Sequence, residues 1–223
     1  MIYKTSIILV AAKHNNNHNS EKKSDDELQF SSKHAGRAPT SVGNYSLYWP
    51  QESLCAIDFI VNRLKRHVYL IGIRALYEQN VPIYRGTEDI DVYSPITIDE
   101  RNELGKFLRK EFVGTAEYWR KFGTAFIFPS KAELDINRAV ELYDEAWDRR
   151  KIEINDAEIY LPPIEDIIAM KILAGRPKDL KDIKHVFRTS WASLDKERLF
   201  QKAAKVGADR KLAKVAKSVG FKV

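Results

Sequence analysis

The sequence is poor in the residues that build cross-linked, fibrous or membrane-spanning proteins. Its 223 residues hold one cysteine, two methionines and 8 prolines, and its 10 glycines follow no period. A single thiol, Cys55, rules out an internal disulfide framework and a cysteine-rich zinc site, and it suits a reducing compartment such as the cytoplasm. Cys55 itself reads as a small apolar residue buried in a helix. Unperiodic glycine excludes collagen, and no sustained heptad supports a coiled coil. The apolar run Ile7–Ala12 has about a third of the length that a spanning helix needs. Lys4 makes a thin positive flank for a secretion signal, so no membrane segment is expected.

What is present points to a globular enzyme or binding protein with an uneven charge. Hydrophobic residues at 44% supply a core and charged residues at 30% cover a surface, the balance of a soluble fold. Formal net charge is +6. From Lys171 to the C terminus, 15 Lys and Arg stand against 5 Asp and Glu, a net +10 that leaves −4 for residues 1–170. Such a pole can hold a phosphate backbone by releasing counterions. It can equally be a helical surface kept soluble by lysine, and charge alone leaves both readings open.

Residues 1–45 are rich in Asn, Ser, Lys and His and carry little that could bury a core, so they are expected to form a disordered or poorly packed leader. Beyond it, Leu54, Ile57, Ile60, Val61 and Leu64 recur at helical spacing and predict a helix over 51–66. A short apolar strand over 68–71 ends at Gly72, and a helix over 73–79 stops before Asn80 and Pro82. Extended character returns over 83–93, helix over 99–112, strands over 124–128 and 133–136, and a hairpin over 151–161 broken at Asn155 and Asp156. Helices over 164–174, 178–188, 194–206 and 209–219 close the chain. This order predicts an α+β fold, with a small mixed β-sheet domain over 46–162 and a basic helical subdomain over 163–223.

Chemistry concentrates in Arg85-Gly86-Thr87-Glu88-Asp89-Ile90-Asp91-Val92. Alternate residues of a strand share a face, so Asp89 and Asp91 form a carboxylate pair while Ile90 and Val92 pack on the other side. Two like charges so close are costly unless a cation neutralises them, and Mg²⁺ takes oxygen ligands of this kind. A solvated acidic strand end is the plain alternative. A third acid, Asp135, lies between Leu134 and Ile136 on a later strand, where a surface position on an edge strand is equally consistent with the pattern. Gly72 at the start of a helix offers backbone N–H groups to a phosphate.

These residues resemble a known family. Gly72, Ala75 and Leu76, followed by Arg85, Thr87, Asp89, Ile90 and Asp91, look like the glycine turn and Asp-x-Asp strand of the nucleotidyltransferase superfamily that includes DNA polymerase β. The run Lys171-Ile172-Leu173-Ala174-Gly175-Arg176-Pro177-Lys178-Asp179-Leu180-Lys181-Asp182-Ile183 is similar to the helical region of abortive-infection type nucleotidyltransferase toxins and their relatives. The resemblance covers about residues 51–190. It implies that Asp89 and Asp91 bind two Mg²⁺ ions, that Asp135 completes the catalytic and metal site, and that Gly72 holds the triphosphate of an NTP. It also implies nucleotide contacts from Lys171, with Lys178 and Asp179 in the active cleft.

Around that core set, Arg74, Arg85 and Arg176 are candidate phosphate contacts, each with a bland alternative. For Arg74 this is a solvated helical arginine, for Arg85 a pair with Glu88 or Asp89, and for Arg176 a helix-start cluster in which Asp179 caps and Asp182 pairs with lysines. Thr87 would orient the acids or cap the turn. The pattern departs from the family at Ile73, where a second small residue is usual, and a branched side chain there would crowd a phosphate. Two functions follow. One is a Mg²⁺-dependent transferase moving a nucleoside monophosphate from an NTP to a hydroxyl, with the tRNA 3′ end or other RNA reached through the C-terminal basic helices, as the toxin partner of an antitoxin protein. The other is a degenerate relative that binds nucleotide or RNA without transfer.

Overall fold

In the computed structural model, which describes residues 49–87, 89–120, 123–137 and 141–222, the first apolar stripe winds into α1 (Gln51–Asp58) and runs on as a π-helical turn over Phe59–Arg63. The expected leader over 1–45 and Glu88 lie outside the described residues. Ile57 and Ile60 are fully buried, whereas Cys55, expected inside, is half-buried at the edge of α1, where burial and the nearby Asp58 push its thiol upward. The short strand β1 (Tyr69–Leu70) leads through Ile71 into α2 (Gly72–Glu78), and β2 (Asp89–Tyr93) follows. Helix α3 (Ile98–Glu111) starts at a capping box: Thr97 accepts from the Glu100 N–H, and the Glu100 side chain accepts from the Thr97 N–H. Its Leu104 and Leu108 are fully buried, and Phe107 stacks on Phe59 at 4.4 Å.

Strands β3 (Ala116–Arg120), β4 (Gly123–Ile127), β5 (Glu133–Asn137), β6 (Lys151–Ile154) and β7 (Ala157–Tyr160) complete a seven-stranded mixed sheet in the order β3-β4-β5-β2-β1-β7-β6. β2 runs parallel to β5, and β1 parallel to β7; the other pairs are antiparallel. The β6–β7 hairpin turns at Asn155 and Asp156 with φ of 49° and 63°, the positive values that a two-residue hairpin loop needs. β3 was not expected. As an edge strand with mostly exposed side chains it lacks the apolar alternation that betrays its neighbours.

Helix α4 (Ile164–Ala174) is buried nearly all round, with Ile167, Ile168, Ala169 and Ile172 at 0% exposure. Gly175, at φ 64°, ends it in the left-handed conformation that glycine adopts freely. Helices α5 (Pro177–Ser190), α6 (Lys196–Lys205) and α7 (Asp209–Lys217) follow. Their apolar faces join the main core through Ile183, Phe187, Leu199, Leu212 and Ala216. A smaller apolar cluster forms where Ala169 meets Tyr69, Ile71, Leu142 and Trp147. Beside it Asp166, fully buried, accepts from Trp147 Nε1 at 2.6 Å and from Arg198 Nε and Nη2 at 2.8 and 2.7 Å. Lys202 lies 3.2 Å from Asp166 and 2.7 Å from Asp144, which Arg198 also binds. This ion cluster pins residues 141–148 to α4 and α6. Among the described residues no helix is long and apolar enough to cross a membrane.

Candidate active site

Strand β2 lies in parallel register with β5, Asp89 opposite Glu133 and Asp91 opposite Asp135. Register partners share a face of a sheet, so these four acids stand together on one side. Ile90, Val92, Leu134 and Ile136, none more than 1% exposed, fill the other side. The alternation that suggested paired carboxylates thus holds in both strands, and Asp135 is on the face of Asp89 and Asp91 rather than opposite them.

The negative charge on this face is not matched in kind. Arg120 of β3 bridges it, with Nη1 at 3.0 Å from Asp135 and Nη2 bonded to Glu133. Burial first, and the charge of Asp91 second, push Asp135 up to about 7 against the pull of Arg120. Burial also raises Asp91; Lys171 works against it, Asp89 reinforces it, and Arg176 and Lys178 draw it back. Like charges in a half-buried site favour the neutral form of one partner. Among the described residues, no three His, Cys, Asp or Glu side chains gather closely enough to form a preassembled metal cage.

Gly72 shapes the floor. Its φ is 72°, and a Cβ added there would lie 2.3 Å from Asp91 Oδ2, so the carboxylate occupies the space that a side chain would take. The Ile71 N–H also donates to the Asp91 carbonyl at 2.9 Å. Ile73 does not crowd this turn: it is 4% exposed and its side chain belongs to the main core. Arg74 is not the solvated arginine of the plain reading. It is 2% exposed, pairs with Glu78 at 3.1 Å and lies 4.5 Å from the Trp49 ring. Burial lowers its pKa while Glu78 opposes the shift.

The opposite wall comes from α4 and α5. Lys171 does not snorkel to solvent; it is 7% exposed and donates to Asp182 at 2.8 Å and Asp179 at 3.4 Å. Arg85 binds both oxygens of Asp182, Nε at 2.9 Å and Nη2 at 2.8 Å. Burial would raise Asp182, but Arg85 and Lys171 outweigh it and hold the carboxyl low. Asp179 does not cap α5; it accepts from Arg176 at 2.6 Å. Arg176 and Lys178 keep exposed side chains, and both charges act on Asp91. Thr87 donates to the Asp89 carbonyl at 3.4 Å and so braces the strand that carries the acids.

Sequence reasoning missed Glu133 and Arg120 as members of this face, and Asp182 as the anchor of Arg85. Glu133 was legible, because it is two residues from Asp135 on the same strand. Arg120 was not, because β3 carries no strand signal. The Arg85–Asp182 pair spans 97 residues of sequence.

Residues 54–216 match the family described as nucleotidyltransferase of unknown function (DUF6036). No curated protein matches the chain. Among solved structures, the antibiotic-resistance factor ANT(2'')-Ia is 17% identical over 74% of this chain and 93% of its own, with a TM-score of 0.48. An antigenic nucleotidyltransferase-like protein from Paracoccidioides brasiliensis is 19% identical over 77% and 92%, with a TM-score of 0.42. The lincosamide antibiotic adenylyltransferase LnuA, bound to lincomycin, is 14% identical over 63% and 98%, with a TM-score of 0.42.

Proposed function

The chain belongs to this family of nucleotidyltransferases, and we propose on that premise that it moves a nucleoside monophosphate from an NTP to a hydroxyl acceptor with the help of magnesium, the acceptor being an RNA end such as the 3′ end of tRNA. The observation that carries this reading is the in-register placement of Asp91 and Asp135 on one face, with the Asp91 carboxylate packed against Gly72. A half-buried carboxylate pair short of balancing cations fits a divalent ion, and Mg²⁺ is ordinarily held by one or two carboxylates together with substrate phosphates. An ion that arrives with its nucleotide needs no closed protein cage. Asp89, Asp91 and Asp135 would hold it, two ions being the number that the family resemblance implies. When bound, magnesium neutralises phosphate charge and makes the acceptor hydroxyl more acidic.

The chain's own groups divide the remaining work. Gly72 leaves Asp91 its position, and Thr87 fixes the Asp89 backbone. Lys178 is exposed and would meet phosphate oxygens as negative charge shifts to the leaving group, and Arg176, bonded to Asp179 but more than half exposed, would add its outward N–H groups. Lys171 and Arg85 are better suited to positioning, because Asp179 and Asp182 already hold them, and Arg74 stays with Glu78. Asp135, on the same face as Asp91, would accept the proton of the attacking hydroxyl. The net +10 from Lys171 onward supports an RNA acceptor. The toxin role beside an antitoxin protein is supported by the resemblance of residues 171–183.

Calorimetric titration of ATP, GTP, CTP and UTP, with and without Mg²⁺, tests the reading on wild type and Asp91→Ala. Metal-dependent binding of at least one nucleotide, lost in the variant, is expected, and incubation with labelled nucleotide and total RNA then identifies the acceptor. Binding indifferent to metal and unchanged by Asp91→Ala overturns it.

A further inference from the structure

The acid face has a second feature that the transfer chemistry does not use. Asp91 and Tyr93 alternate on β2, Tyr69 is the register partner of Tyr93, and Tyr160 is the partner of Tyr69. A row of three tyrosines therefore stands on the same side of the sheet as the acids, two residues or about 7 Å further along β2. Over this row, Lys65, Arg66, His67, Tyr69, Tyr93 and Tyr143 line an open cleft of about 310 Å³, near the lower end of the range for ligand sites.

Most polar atoms of these rings are already committed. Tyr69 and Tyr143 both donate to Asp148, at 2.7 and 2.9 Å, and His67 Nδ1 lies 3.2 Å from the Tyr69 hydroxyl. The rings are locked against one another, Tyr69 stacked on Tyr93 at 5.5 Å and His67 on Tyr160 at 4.8 Å. Tyr69 is 2% exposed and Tyr93 and Tyr160 are half-buried, so the ring surface on offer is chiefly that of Tyr143, 39% exposed and held by its bond to Asp148. Arg66 is engaged by Glu100 at 2.9 Å, but Lys65 is exposed and makes no ion pair among the described residues. The wall that carries Tyr143 is fastened to the basic helices, since Lys202 of α6 donates to the Leu142 carbonyl. Ring faces beside an uncommitted cation and a basic pole make the combination by which proteins hold unpaired bases and track the backbone between them.

We propose that this cleft seats a base of single-stranded RNA, stacked on Tyr143 with its phosphate toward Lys65. The assignment rests on the transferase reading for its role, because it makes the occupant the acceptor strand whose end reaches the acids. Fluorescence anisotropy of a short 5′-fluorescein-labelled oligoadenylate tests it on wild type, Tyr143→Ala, Tyr143→Phe, Lys65→Ala and Asp91→Ala, each checked for an unaltered thermal unfolding curve. Tyr143→Ala is expected to weaken binding about tenfold, the worth of one stacked base, and Tyr143→Phe, which keeps the ring, to bind as wild type. Lys65→Ala should lower the slope of log affinity against log salt by about one. Equal affinity of wild type and Tyr143→Ala overturns the proposal. So does an equal loss in Tyr143→Phe, which would assign the effect to the hydroxyl on Asp148, and so does displacement of the oligomer by equimolar free AMP, which would make the occupant a mononucleotide. Asp91→Ala should bind the oligomer normally, so failure of the nucleotide titration leaves this measurement intact, and the reverse.

Discussion

Two groups of buried and half-buried carboxylates in this molecule are built on opposite terms. Around Asp166, every acid is answered: Arg198, Lys202 and the Trp147 N–H surround Asp166, and the same two cations also hold Asp144. On the β2–β5 face, Asp89, Asp91, Glu133 and Asp135 stand in register and, among the described residues, one arginine bridges two of them. The first arrangement is complete within the chain and fastens helices together. Among the described residues the second is short of positive charge, which costs folding stability and is the ground for proposing that it takes cations from outside. Whether a buried acid is structural or functional is therefore read from whether its charge is balanced, not from its burial.

That contrast can be broken at either end. Asp91→Asn removes a carboxylate that the proposal assigns to magnesium and should lower nucleotidyl transfer on the order of a thousandfold, while unfolding free energy stays level or rises by less than about 1 kcal/mol as a like-charge contact disappears; transfer assays paired with urea unfolding check both. Asp166→Ala should do the reverse, costing about 3 kcal/mol in urea unfolding, because the buried Lys202 and the half-buried Arg198 are left with Asp144 as their carboxylate and the Trp147 N–H loses its acceptor. Gly72→Ala tests the floor beneath Asp91. Forcing a Cβ at φ 72° into the carboxylate should cost about 1–2 kcal/mol and, by displacing Asp91, slow transfer about a hundredfold.

The smallest effect concerns pH. Burial would raise the Asp144 carboxyl, but hydrogen bonds from Lys202 and Arg198 prevail and hold it at about 2, below its ordinary 3.8. A depressed carboxyl contributes stability that is fully present above the unfolded pKa and is lost as pH falls through the folded one. The loss therefore lies between pH 3.8 and about 2. Because Asp144 is 38% exposed, solvent screening limits the contribution to under about 1 kcal/mol. Unfolding of wild type and Asp144→Asn across that window should converge at its acidic end.

What the sequence disclosed follows the range of each signal. Asp89, Asp91 and Asp135 were legible because strand alternation is local: the flanking Ile90, Val92, Leu134 and Ile136 fix which way the acids point. Helix α4 was legible to the residue, with Pro163 before it and Gly175 after it. The partners of the charges were not. Arg85 reaches Asp182 and Arg198 reaches Asp166 across loops and helices, and no local spacing records such pairings. The tyrosine row was hidden for the same reason, because Tyr69, Tyr93 and Tyr160 meet through strand register alone. Ile73 shows the opposite error, a local rule applied to a side chain that the helix turns inward.

The double grip of Asp182 has a mechanical side. Its carboxylate joins Arg85, in the loop before β2, to Lys171 on α4, so it rivets the acid-bearing strand to the helical wall across from it. Parting the loop from the wall would break both hydrogen bonds from Arg85 to Asp182 and leave that buried carboxylate with Lys171 as its remaining cation. On the proposed function, what incoming phosphate would meet first is the charge that solvent already reaches, Lys178 and the outer edge of Arg176, rather than the riveted pair behind them.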